Sequence, residues 1–130
     1  MKISHKWLQT YFDKSIPKPE ELSDLFTFRF SEIESIEKIG GDTIFDIKIL
    51  ADRAHYALSH LGVAEEVSVI TKTPFKASRF SDSPIADNNE APKVSIVDPL
   101  FCRRFTGRYA KDVKIEDAPK WMKEFLEAVG

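Results

Sequence analysis

The stretch SEIESIEKIGGDTIFDIKIL, residues 31–50, constrains the fold more than any other part of the chain. Two runs of β-branched and aromatic residues flank Gly40-Gly41-Asp42. Glycines between such runs supply the positive φ angles that a tight hairpin turn requires. Partial alternation nominates Ile33, Ile36, Ile44, Ile47 and Ile49 for the buried face of this hairpin.

The flanking segments read as helices. Ser4 is a good N-cap for a first helix carrying Trp7, Leu8 and Tyr11 at helical spacing. Pro19 sits where a second helix tolerates it best, with Glu20 and Glu21 at the positive end of its dipole and Leu22, Leu25 and Phe26 as its apolar stripe. The two helices are expected to pack on each other. After the hairpin, LGVAEEVSVITK places Leu61, Ala64, Val67 and Ile70 on one side of a third helix. The order helix, helix, hairpin, helix predicts a small α+β domain over residues 1–73.

Residues 74–92, rich in Pro, Ser, Asp and Asn, read as a linker. Residues 93–130 carry short strand signals, VSIV and RFTGRYAKDV. A last helix is expected to be capped by Asp117 and to bury Trp121, Met122, Phe125, Leu126 and Val129. So few elements make a poor independent core, and this second α+β domain reads as incomplete at Gly130.

Composition narrows the class. With 42% apolar and 12% aromatic residues the chain has the makings of a core, and a net charge of -2 excludes binding of nucleic acid by a global polycation. The one cysteine, Cys102, forms no internal disulfide and no multi-thiolate zinc site, which fits a cytoplasmic setting. The start MKISHKWLQTYFDK has no signal-peptide apolar run, and no stretch approaches the roughly 20 apolar residues of a membrane span.

The chemically richest segment is ILADRAHYALSHLG, residues 49–62. His55 and His60 are five apart, which puts them on different faces of a helix and supplies no third metal ligand. Asp52 with His55 would be two parts of a triad, but Ser59 lacks a nucleophile motif. The structural alternative has Ser59 and His60 starting a helix while His55 orders the corner by hydrogen bonds. Cys102 stands before Arg103 and Arg104, which would lower a thiol pKa, although a lone cysteine beside a strand is more commonly a small buried hydrophobe. Arg103, Arg104, Arg108 and Lys111 are the main basic concentration. They fit either an RNA-facing strand, with Phe105 or Tyr109 stacking on a base, or a solvated edge balanced by Asp112, Glu116 and Asp117.

Taken in order, ISHKWLQTY, PEELSDLFT, SEIESIE and GDTIFDIKILADRAHYALSHLGVAEEV resemble the opening of the bacterial-type phenylalanine–tRNA ligase β subunit. CRRFTGRYAKDVKI and APKWMKEFLEAVG resemble the start of that subunit's next domain, which edits mischarged tRNA. In this comparison Arg53, His55, His60 and Gly62 belong to the signature corner, as a structural feature. Departures are Ala51 and Asp52 where the family has Pro and Asn, Glu65 where it has Arg, and Phe30 where it has Gly. Only Ile39, Gly40 and Gly41 join SEIESIEK to DTIFD, where many members carry an inserted oligonucleotide-binding-type domain.

The resemblance implies an N-terminal part of an (αβ)₂ cytoplasmic enzyme that uses ATP and magnesium to join phenylalanine to its tRNA. It implies partnership with an α subunit and that tRNA, but not with DNA or membrane. No catalytic or metal residue is expected in this part, and neither ATP nor magnesium is expected bound to it. The alternative is a free-standing RNA- or protein-binding module.

Overall fold

The computed structural model describes residues 1–76, 93–107 and 109–130. Most of the predicted linker (77–92) and Arg108 of the basic group lie outside the described residues. Two units are distinguished, one formed by the residues up to Lys76 together with Ala118–Gly130, the other by those from Lys93 to Asp117.

The first unit is α+β. Its described elements are β1 (Lys2–Ser4), α1 (His5–Gln9), α2 (Pro19–Arg29), β2 (Ile33–Ile39), β3 (Asp42–Ile47), α3 (Ala54–Ala57), α4 (His60–Thr71) and α5 (Lys120–Val129). The hairpin forms where the glycines require it: Gly40 and Gly41 take φ of 57° and 75°, and Ile39 pairs with Asp42 across the turn. A register shift between Ile33 and Ser35 bends the far end of β2. The sheet order is β1-β3-β2, entirely antiparallel, so β3 is central although it is last in sequence.

Pairing sets the two faces. Ile3 lies opposite Phe45, and Ser4 opposite Ile44. Side chains alternate along a strand, so Ile3, Phe45 and Ile47 share one face while Ser4, Asp42 and Ile44 share the other. The first face carries the core, where Phe45 meets Phe26 of α2 edge-on at 5.8 Å and joins Leu8, Phe12, Leu22, Val63 and Val67. Each fully buried Phe or Leu there contributes on the order of 2 kcal/mol of transfer free energy. The Met1 ammonium donates to Asp46 Oδ1 at 2.7 Å and to the Ile47 carbonyl at 2.6 Å, tying the chain start to β3.

Several expectations change. Ile44 and Ile47 are buried, but Ile36 is 48% exposed because β2 is an edge strand. Its charged residues, Glu34, Glu37 and Lys38, suit an open edge. The short strand β1 had no separate sequence signal. The main neighbours of α1 are β3 and α4, whereas α2 lies along β2, and Leu8 of α1 shares one core with Leu22 and Phe26 of α2.

α5 begins after Pro119, not from a cap at Asp117, and none of its residues is fully buried. Trp121 is 58% and Leu126 50% exposed, while Phe125, Ala128 and Val129 are half-buried. The strongly apolar stripe is real, but only part of it faces β1 and β3. In the second unit, residues 93–107 and 109–117 contain no strand, where VSIV and RFTGRYAKDV predicted short ones. A strand needs a pairing partner for its backbone, and alternation in sequence does not supply one.

Candidate functional site

The corner after β3 is built from local rules. Arg53 N–H bonds to the Leu50 carbonyl at 3.1 Å, making a turn, and the single-turn α3 follows. Ser59 then takes an extended φ of −158°, and its hydroxyl oxygen accepts from Gly62 N–H at 3.0 Å, capping α4. Gly62 is demanded by packing. A Cβ there would lie 1.9 Å from the Tyr56 carbonyl oxygen, so α4 crosses α3 with backbone against backbone.

Arg53 spans the corner. Its Nη1 is 3.5 Å from Glu66 Oε1 and donates to the Tyr56 hydroxyl at 3.4 Å, and its guanidinium sits 5.3 Å from the Phe30 ring centre. The Tyr56 hydroxyl donates to Glu66 Oε1 at 2.5 Å. That bond, with lesser help from burial and the Glu66 charge, raises the Tyr56 pKa above its ordinary value, against the pull of Arg53. His55 is exposed and meets Tyr56 edge-on at 4.9 Å.

His60 turns the other way, toward β1. Its Nε2 accepts from the Ser4 backbone N–H at 3.0 Å, and its ring lies nearly parallel to Trp7 at 3.9 Å. Burial lowers its pKa to about 4, with Asp42 pulling in the opposite direction. Asp42, itself buried, accepts from the Ser4 hydroxyl at 2.5 Å, from Lys6 N–H at 3.0 Å and from Thr43 N–H at 2.7 Å. The Ser4 oxygen also accepts from Trp7 N–H at 2.9 Å, which caps α1.

Ser4, Asp42 and His60 are the residue types of a catalytic triad, but the hydrogen bonds run the wrong way for one. His60 contacts the Ser4 backbone nitrogen, while the Ser4 hydroxyl gives its proton to Asp42, so no imidazole activates it. The array instead knots β1, β3 and α4 together. Among the described residues no buried side-chain nitrogen or oxygen lacks a partner, and no three His, Cys, Asp or Glu groups converge to hold a metal ion.

Sequence reasoning named Arg53, His55, His60 and Gly62. The structure brings Arg53 to Tyr56 and Glu66, and His60 to Ser4 and Trp7, so these residues serve two separate clusters. Asp42 and Glu66 were not anticipated as members. In the sequence Asp42 marks only the turn, and Glu66 carries no local signal of its own. Of the basic group, Arg103, Arg104 and Lys111 are exposed and lie outside helix and strand. Cys102 is partly buried, with its Sγ 3.6 Å from the Arg104 carbonyl.

No family model matches the chain, and no solved structure matches it. Curated relatives do. A phenylalanine–tRNA ligase β subunit of Rhodopirellula baltica is 31% identical over 138 aligned positions, covering 100% of this chain and 19% of the relative. That of Syntrophus aciditrophicus is 33% identical over 117 positions, 89% of this chain and 13% of the relative. That of Bordetella pertussis is 41% identical over 90 positions, 68% of this chain and 11% of the relative. The chain thus spans less than a fifth of the length of these relatives. Over 68–100% of its length the chain is similar to one segment of phenylalanine–tRNA ligase β subunits.

Proposed function

We propose that the chain corresponds to the N-terminal part of a β subunit that works with an α subunit, in an (αβ)₂ cytoplasmic assembly, to attach phenylalanine to its tRNA with ATP and magnesium. Its own role is architectural. Residues 1–73 are the scaffold, 74–92 the linker, and 93–130 correspond by sequence to the beginning of an editing-type domain, whose last stretch, Ala118–Gly130, lies with the first unit. The observation that carries the architectural role is the two clusters themselves: Arg53, Tyr56 and Glu66 engage one another at the corner, and Ser4, Asp42 and His60 engage one another between β1, β3 and α4. Groups tied up in this way hold elements in place and have little spare capacity for a substrate. No step of the ATP- and magnesium-dependent reaction is assigned to a residue described here.

The test is to express the gene product with an α-type subunit and measure co-purification and phenylalanine-dependent ATP–pyrophosphate exchange. A stable complex with exchange activity is expected. Failure of both would sink the synthetase assignment. It would favour a free-standing RNA- or protein-binding module, for which the exposed Arg103, Arg104 and Lys111 are the first residues to examine.

A further inference from the structure

α5 meets β1 and β3 without burying any residue completely. The hydrogen bonds described for its ends are internal, from Met122 and Lys123 N–H to the Pro119 carbonyl and from Gly130 N–H to Leu126. Its ion pair, Lys120 with Glu124 at 3.8 Å, is exposed and also internal. What ties it to the rest of the first unit is aromatic. Phe125 lies 5.3 Å from Trp7 at an interplanar angle of 18°, and Trp7 lies 3.9 Å from His60 at 19°. Rings from α5, α1 and α4 therefore form one continuous run.

We propose that α5 is a strap docked reversibly on β1, β3 and α1 through Phe125, and that its docking and proton binding at His60 oppose each other. Two features of the geometry carry this. The Nε2 of His60 accepts a hydrogen bond from the Ser4 N–H, and an imidazolium has no lone pair to accept with. Protonation would set two donors against each other at the point where β1 passes into α1, three residues before Trp7. In addition, Phe125 of α5 stacks on Trp7, which itself stacks on His60, and whatever water this run of rings excludes from the imidazole disfavours its charged form. By linkage, whatever docking does to proton affinity, the proton does to docking.

The charged groups around this corner leave that balance in place. Asp42 on β3 favours the imidazolium, but its carboxylate is held by Ser4, Lys6 and Thr43 whether or not α5 is docked. Glu124 and Glu127 of α5, with Lys6 of α1, line an open groove of about 370 Å³ beside Asp42 and are exposed, where solvent and salt screen them. His5 of α1 is engaged with the Pro17 carbonyl at 2.9 Å.

The test uses the 130-residue chain. Its three histidines are titrated by NMR in the wild type and in Phe125→Ala, with amide hydrogen exchange of α5 followed in parallel at pH 7 and pH 4.5. Phe125→Ala is expected to raise exchange in α5 and to move the His60 titration upward by about half a unit or more. In the wild type, α5 protection is expected to fall on acidification by the linked factor, about 1.5-fold or more at pH 4.5 for a half-unit shift from about 4, before the sheet amides open. If α5 is released in Phe125→Ala while His60 titrates as in the wild type, the linkage is refuted. If the substitution changes neither measurement, Phe125 does not hold the strap and the proposal fails. The wild-type exchange series decides independently of any variant, since equal α5 protection at both pH values overturns the proposal.

Discussion

Gly62→Ala sets two effects of opposite sign against each other. Gly62 lies in the first turn of α4, and in a helix Ala is favoured over Gly by about 1 kcal/mol. Propensity alone therefore predicts a more stable protein. Against it stands the Cβ position, 1.9 Å from the Tyr56 carbonyl oxygen, 2.6 Å from its carbon and 3.2 Å from Ala57 Cα. A carbon normally approaches a carbonyl oxygen no closer than about 3.3 Å, so α4 and α3 must separate by roughly 1.4 Å.

The atoms in the way are backbone, and no rotamer change relieves them. The shift would pass into Ala57, Val63 and Ala64, all fully buried in the core. Overpacking of this kind costs about 1–3 kcal/mol, and with the Ser59 cap disturbed the upper end applies. After subtracting the propensity gain, a net loss of about 1–2 kcal/mol is expected. Urea unfolding followed by Trp fluorescence and far-UV circular dichroism measures it, with Trp7 reporting directly on the His60 stack. For a domain of this size the same loss lowers Tm by roughly 4–12 °C. A variant as stable as the wild type, or more stable, would refute the close crossing of α3 and α4.

Other substitutions address the two clusters. The His60 pKa is lowered to about 4 in the fold against 6.5 for the free side chain, so the unfolded chain binds the extra proton. That contribution to stability is fully present above pH 6.5 and is lost as the pH falls toward 4, amounting to about 1–2 kcal/mol at pH 5 after discounting for partial exposure. The pH-dependent difference in unfolding free energy between wild type and His60→Gln isolates it, and a difference that is flat from pH 7 to 5 counts against it. Asp42→Asn removes a charged acceptor from three donors and should cost about 2 kcal/mol in urea unfolding while lowering the His60 titration further, since Asp42 is what favours its protonation. An upward move of His60 in that variant would show the electrostatic assignment to be wrong. Arg53→Ala breaks the contacts with Glu66, Tyr56 and Phe30 and should lower stability by about 1 kcal/mol. Unchanged thermal stability combined with weaker tRNA binding in the assembled enzyme would show that Arg53 acts on RNA instead.

Local chemistry was legible in the sequence wherever a feature depends on few adjacent residues. Gly40 and Gly41 announced the turn because only positive φ closes it, Pro19 marked the start of α2, and Ser59 was placed where α4 is capped. The ordered set of segments also carried the likeness to phenylalanine–tRNA ligase β subunits that the curated relatives share. What the sequence did not settle is what depends on pairing across distance. β1 is a strand only because three residues meet β3 more than 35 positions away, and that pairing makes β3 central and leaves Ile36 on an open edge. The apolar stripe of α5 predicted a buried helix, yet the amount buried depends on the surface it meets, and Trp121 and Leu126 meet little. The ILADRAHYALSHLG segment supplied the right residues for the wrong grouping. Its arginine and its second histidine point to different partners, Glu66 on one side and Ser4 with Trp7 on the other, because α3 and α4 cross so closely at Gly62. Residue spacing fixes which side chains share an element's face, whereas only the packing of elements fixes which faces meet.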